Sequence, residues 1–218
     1  MGQRDASLID YLVGDEVLLL KGLTTIYYSS LLALGIIFGL IVSVILLAPS
    51  NNVQGVAYAI FVAAGFMALV NVGFFVGLRR VDNSFLTSCG CFEAGVVVLA
   101  NGLLSLLYLA YVLFHRGEAV SLFGQTGSII LALLNGLSLI ALGLALTKIN
   151  EVVNESALSL AGNGLAISGL LSLVPVLSKL ASLLYFLSLI VMCYGLNKAI
   201  TGLRMRLCHK EPGLCKYA

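Results

Sequence analysis

Long uninterrupted apolar runs, each closed by a short polar or basic cluster, divide this chain into six stretches. They lie near Thr24 to Ala48, Val53 to Leu78, Ala94 to Phe114, Gly127 to Leu146, Ala157 to Leu177 and Leu180 to Leu203. A helix crossing a hydrocarbon core of about 30 Å takes roughly 20 apolar residues, and each stretch meets that length. Only Ser178 and Lys179 separate the last two. Read as one helix they would reach about 70 Å, more than twice the core, so two helices joined by a tight turn are expected. Pro175, in the last turn of the fifth helix, helps to end it. The pattern predicts an all-α fold, a polytopic transmembrane bundle of six helices.

Ahead of the first stretch, residues Leu8 to Leu20 mix apolar side chains with Asp10, Asp15 and Glu16. This suits a short helix lying at the membrane surface, with an extension of the first span as the alternative. The chain therefore divides into an N-terminal cytoplasmic or interfacial segment at 1–23, a transmembrane domain at 24–203 and a basic tail at 204–218.

Composition agrees with the pattern: 60% hydrophobic and 10% charged residues leave too little polar surface to cover a water-soluble globule. Orientation follows from the cations. Arg4, Lys21, Arg79, Arg80, Lys148, Lys198, Arg204, Arg206, Lys210 and Lys216 all fall on one side of the threaded spans, against Arg116 and Lys179 on the other. The excess of Lys and Arg in short loops marks the cytoplasmic side, so both termini are expected there, in a multi-pass protein of the cell membrane. Arg204, Arg206 and Lys210 either anchor the last span or touch anionic lipid headgroups, at about 1 kcal/mol each. Nothing argues for nucleic acid. Met1 to Glu16 is polar and acidic, so no cleavable signal peptide is expected. The one glycosylation sequon, at Asn154, falls in a cytoplasmic loop and is expected to be silent.

Spans two, four and six end alike, in small, apolar and basic residues, as three stacked hairpins of parallel sense would. Membrane-exit chemistry shared by all three is the alternative. Gly35 and Gly39 in span one, and Gly73 and Gly77 in span two, have the four-residue spacing that lets helix backbones approach closely, within the bundle or across a dimer interface.

Four consecutive spans each carry one notable asparagine: Asn71, Asn101, Asn135 and Asn163. An amide in hydrocarbon needs partners, so all four are expected to face the bundle interior, either pairing between helices or lining a polar path. No Asn precedes a Pro, which separates the chain from aquaporin-type channels. The acidic residues sit in loops or at the membrane edge, Glu93 being nearest to a span, and no broken helix is evident, as ion-coupled carriers would require. His115 and His209 fall on opposite sides, and no metalloprotease spacing or nucleophile elbow occurs. No catalytic residue, cofactor or resident metal is expected.

Cys89, Cys91, Cys208 and Cys215, with His209, map to the cytoplasmic face. Four such ligands would hold zinc if the loop met the tail, but neither spacing is a CxxC knuckle. Free thiols are the expectation in a reducing cytoplasm, and a loop-to-tail disulfide is the alternative in a hyperthermophile. Cys193 reads as a small packing residue.

The stretches GLRRVDNSF (77–85), TKINEVVNESALSLAGNGLAISG (147–169) and LVPVLSKLASLLYFLSLIVMCYGLNKAI (173–200) resemble an archaeal family of multi-span membrane proteins that carries only a domain-of-unknown-function label. The resemblance implies an archaeal, thermophilic source and a six-helix membrane domain, and brings no catalytic residues. Without buried charge, broken helices or a cofactor motif, the residues themselves set the functional expectation as a non-catalytic subunit or scaffold that contacts membrane lipids and other membrane subunits or further copies of itself. The alternative is a small transporter or channel for an uncharged solute.

Overall fold

The computed structural model describes the backbone of residues 2–47, 53–84, 90–114 and 122–210, and the side chains of 15–47, 55–84, 90–112, 127 and 129–209. The helices are α1 (Gly2–Leu47), α2 (Val53–Asn83), α3 (Cys91–Phe114), α4 (Leu122–Val153), α5 (Ser156–Ser172) and α6 (Ser178–Lys210). No strand occurs among the described residues. All but α5 are long and apolar enough to cross a membrane. The chain is thus a helical protein suited to lipid. α5, with 17 residues, is about 26 Å long at 1.5 Å per residue.

The helices outrun the apolar stretches that announce them, and α1 does so most. No separate surface helix precedes the first span: α1 is one unbroken helix of 46 residues. No proline interrupts residues 2–47, so backbone hydrogen bonding continues from the polar lead-in into the apolar run. Leu19, Leu20 and Leu23 of that lead-in are buried in the core.

Two tight turns show the opposite effect. α5 stops at Ser172, short of Pro175, because a proline disfavours helical geometry in the residue before it. Val174 is extended, at φ −106° and ψ 110°, and Pro175 then opens a single 3-10 turn that leads into α6. Between α4 and α5, Asn154 takes the left-handed conformation at φ 58°. Its N–H donates to the Asn150 carbonyl at 2.7 Å and closes the end of α4. Asparagine adopts this conformation more readily than most residues, so the sequon asparagine serves as a helix terminator. Across this turn, Lys198 of α6 donates to Glu155 at 3.1 Å.

Each helix packs antiparallel to its sequence neighbours, and α1 closes against α6 to complete a ring. Hydrocarbon rewards apolar contact between helices little more than contact with lipid, so close backbone approach has to hold the pairs. Glycine supplies it. A side chain on Gly143 would run into the Gly162 carbonyl, and one on Gly169 into the Gly136 carbonyl, so α4 and α5 touch backbone to backbone at two levels. Gly22 and Gly77 bring α1 and α2 together in the same way, and Gly73 accommodates Ser29.

In α1 to α4, the buried side chains among the described residues lie toward one end of the ring. Buried side chains lie at or before Ala33 in α1, from Ala68 in α2, up to Asn101 in α3 and from Ser138 in α4. This end contains the start of α1 and the end of α6. Its core includes Ile26, Leu78, Leu146, Leu165, Met192 and Leu196. Toward the other end, the described portions of α1 to α4 hold no buried side chain.

Replacing Gly143 with Ala is expected to lower unfolding stability by about 1–3 kcal/mol through overpacking against the α5 backbone. Gly35→Ala, where an added Cβ meets nothing within 4 Å, is expected to be neutral or to stabilise by up to about 1 kcal/mol through helix propensity. Thermal unfolding in detergent, followed by circular dichroism, separates the two.

Candidate functional site

Between α2, α4, α5 and α6 lies a vestibule of about 290 Å³ whose lining is mainly apolar and carries a set of hydroxyl and amide groups. Its wall is built from facing helix positions: Asn135 on α4, Ser168 and Ser172 on α5, and Ser178, Ser182 and Tyr185 on α6. Ser168 and Ser172 lie one helical turn apart, as do Ser178 and Ser182, so the α5–α6 hairpin turns two serine pairs toward one space. Met67 of α2, across the ring, and Leu139 of α4 supply apolar surface. Among the described residues, no charged side chain lines the cavity.

The serine protons are largely committed. Ser168, at 1% exposure, donates across the helix pair to the Ala181 carbonyl at 2.8 Å. Ser172 donates to the Gly169 carbonyl at 2.7 Å and Ser182 to the Ser178 carbonyl at 2.9 Å. These three hydroxyls keep acceptor lone pairs. Behind the wall, Asn101 of α3 donates to Asn135 Oδ1 at 3.4 Å and to Ser138 Oγ at 3.2 Å. Asn101 is 8% exposed, and its Oδ1 is buried without a hydrogen-bond partner. An unpaired buried acceptor costs about 1–3 kcal/mol, so this amide marks the polar cluster as more than packing.

The four asparagines do not converge. Asn101 and Asn135 meet in the cluster just described, and Asn135 faces the vestibule. Asn71 lies against Gly102 at the α2–α3 crossing, where a glycine Cβ would collide with its amide. Asn163 is exposed on the outer face of α5, between Leu160 and Ile167, which are also exposed. Of the glycines, Gly73 and Gly77 sit inside the α1–α2 crossing. A Cβ added at Gly35 or Gly39 would meet nothing within 4 Å, and Gly39 lines an apolar groove of about 340 Å³ with Ile36 of α1 and with Ala63 and Phe66 of α2. Sequence reasoning overlooked Ser168, Ser172, Ser178, Ser182 and Tyr185. The repeated four-residue serine spacing on either side of Pro175 is the signal that would have found them.

The cysteines depart from the free-thiol expectation. Cys91, buried at the start of α3, and Cys208, near the end of α6, are both disulfide-bonded. The free-thiol expectation, set by a reducing cytoplasm, is overturned at these two positions. Cys193 is a free, buried thiol within α6. His209 is exposed, while Cys89, Cys215 and His115 lie outside the described residues. Among the described residues, no His, Cys, Asp and Glu group is arranged to hold a metal ion. Arg80 donates to Thr25 Oγ1 at 2.9 Å, linking α2 to α1 at the same packed end.

No protein-family model matches the chain, and comparison with curated proteins and with solved structures finds no match.

Alkylation of the unreduced protein followed by peptide mass spectrometry is expected to leave Cys91 and Cys208 unmodified, and prior reduction to expose both. Breaking a native disulfide costs about 2–5 kcal/mol in small disulfide-dependent domains. A fall in unfolding temperature on reduction is therefore expected here too.

Proposed function

We propose that this chain is a non-catalytic subunit or scaffold of a membrane complex, with all six helices crossing the bilayer and both termini in the cytoplasm. α5, at 17 residues, stands at the lower limit for a span. The observation that carries the functional reading is Asn163. Its amide occupies the outer face of a helix otherwise occupied there by Leu160, Ile167 and Leu170. A carboxamide facing lipid alone costs several kcal/mol on hydrocarbon scales, and an amide from another chain removes that cost. Gly35 and Gly39, open on α1, offer a second face for close approach. The oxidised Cys91 and Cys208 fit a thermophilic archaeal source, where intracellular proteins are disulfide-rich.

A second reading, a small transporter for an uncharged solute, draws support from the vestibule. Against a continuous path stand Leu146, Met192 and Leu196, which are fully buried beyond it. Under the second reading, replacing Asn101 and Asn135 together with Leu abolishes flux in reconstituted vesicles and leaves assembly intact. Under the first, heat stability or assembly suffers instead.

Purification in mild detergent at native abundance is expected to yield a complex with other membrane chains or with further copies of this one. Asn163→Leu is expected to weaken that association by about 1 kcal/mol, roughly fivefold in the equilibrium constant. A lone monomer in both forms, seen by native mass spectrometry, contradicts the proposal.

A further inference from the structure

We propose that the vestibule is a binding site for a small, neutral, hydroxyl-rich group, either a free polyol or the sugar headgroup of an uncharged glycolipid. The argument begins with charge. Neither an anion nor a cation finds a counter-charge on the lining, and an unpaired ion in a membrane-embedded cavity is strongly disfavoured. The ligand is neutral.

Hydrogen-bond capacity then selects its chemistry. Ser168, Ser172 and Ser182 have given their protons to backbone carbonyls and present oxygen acceptors. Asn135 accepts from Asn101 through Oδ1 and lines the same cavity with a carboxamide that also carries donors. The Tyr185 and Ser178 hydroxyls can act either way. A wall that mixes serine acceptors with an amide and hydroxyls able to donate is matched by a group whose every polar atom both donates and accepts, which is the property of an alcohol. Met67, Leu139 and Ala132 add the apolar surface that meets the C–H face of such a molecule. The cavity volume of about 290 Å³ lies at the bottom of the range of roughly 300–1,000 Å³ for ligand sites, which sets the size at a single sugar or pentitol.

Binding here is separable from the second reading above, because flux in vesicles tests transport whereas occupancy in nanodiscs does not require it. The test uses the full chain in nanodiscs and saturation-transfer NMR with xylitol as probe. A parallel arm replaces part of the lipid with monogalactosyl diacylglycerol and follows its sugar signals. Transfer to xylitol, falling at least fivefold in Ala132→Phe, which fills the cavity, supports a free polyol. Transfer to the galactolipid sugar alone, with the same loss, supports the headgroup source. Tyr185→Phe and Ser182→Ala provide the readout should Ala132→Phe not fold, and either is expected to weaken binding at least threefold. The proposal is overturned if neither xylitol nor the galactolipid shows transfer, if transfer survives all three substitutions, or if phosphate or choline displaces the probe.

Discussion

Inside a bilayer a leucine gains little by turning from lipid to protein, so helices that must stay together need close-fitting backbones and paired polar groups. That constraint governs this molecule. α4 and α5 approach through Gly136, Gly143, Gly162 and Gly169, and α1 and α2 through Gly22, Gly73 and Gly77. Polar contacts add to these: Asn101 with Asn135 and Ser138 between α3 and α4, and Ser168 with the Ala181 carbonyl between α5 and α6. Large aliphatic side chains such as Ile26, Leu165 and Leu196 fill the space that these close crossings define.

The uneven distribution of those crossings along the ring has a functional consequence. The α1–α2 glycine contacts, Gly95 and Gly102 of α3, and Gly143, Gly162 and Gly195 cluster toward the end that bears the start of α1 and the end of α6. That end is packed, oxidised at Cys91 and Cys208, and held by the Lys198–Glu155 pair. Toward the opposite end, a Cβ added at Gly35, Gly39 or Gly65 would meet nothing within 4 Å, although Gly127 of α4 lies close against Tyr108 of α3, and the serine-bearing vestibule lies between α2, α4, α5 and α6. The Asn163 amide lies on the outer face of α5, away from that vestibule.

Much of this was legible in the sequence, because apolar length alone places helices. The six stretches correspond one for one to α1 through α6, and the break between the last two was visible from length arithmetic, although the turn falls at 173–177 and Ser178 and Lys179 already belong to α6. Helix ends were less legible. A polar segment without proline simply continues as helix, which hid the unbroken α1. Pro175 acts on the residue before it, so α5 ended sooner than its apolar run. The site was harder still, since serine in a membrane helix commonly bonds its own backbone, and only the fold shows which serines also face a cavity. Helix rotation likewise decided that Asn163 faces outward while Asn101 faces inward, and no spacing rule in one sequence fixes rotation.

The central claim is that one end of the ring is dry and the other wet. It is tested most directly by labelling single introduced cysteines with a water-soluble maleimide in a Cys193→Ala background with the disulfides kept. Ala132→Cys and Ser182→Cys, at the vestibule, are predicted to react quickly in intact proteoliposomes, and Leu146→Cys and Met192→Cys, in the packed core, not at all. Equal labelling at all four positions, or protection of both vestibule sites, contradicts the account.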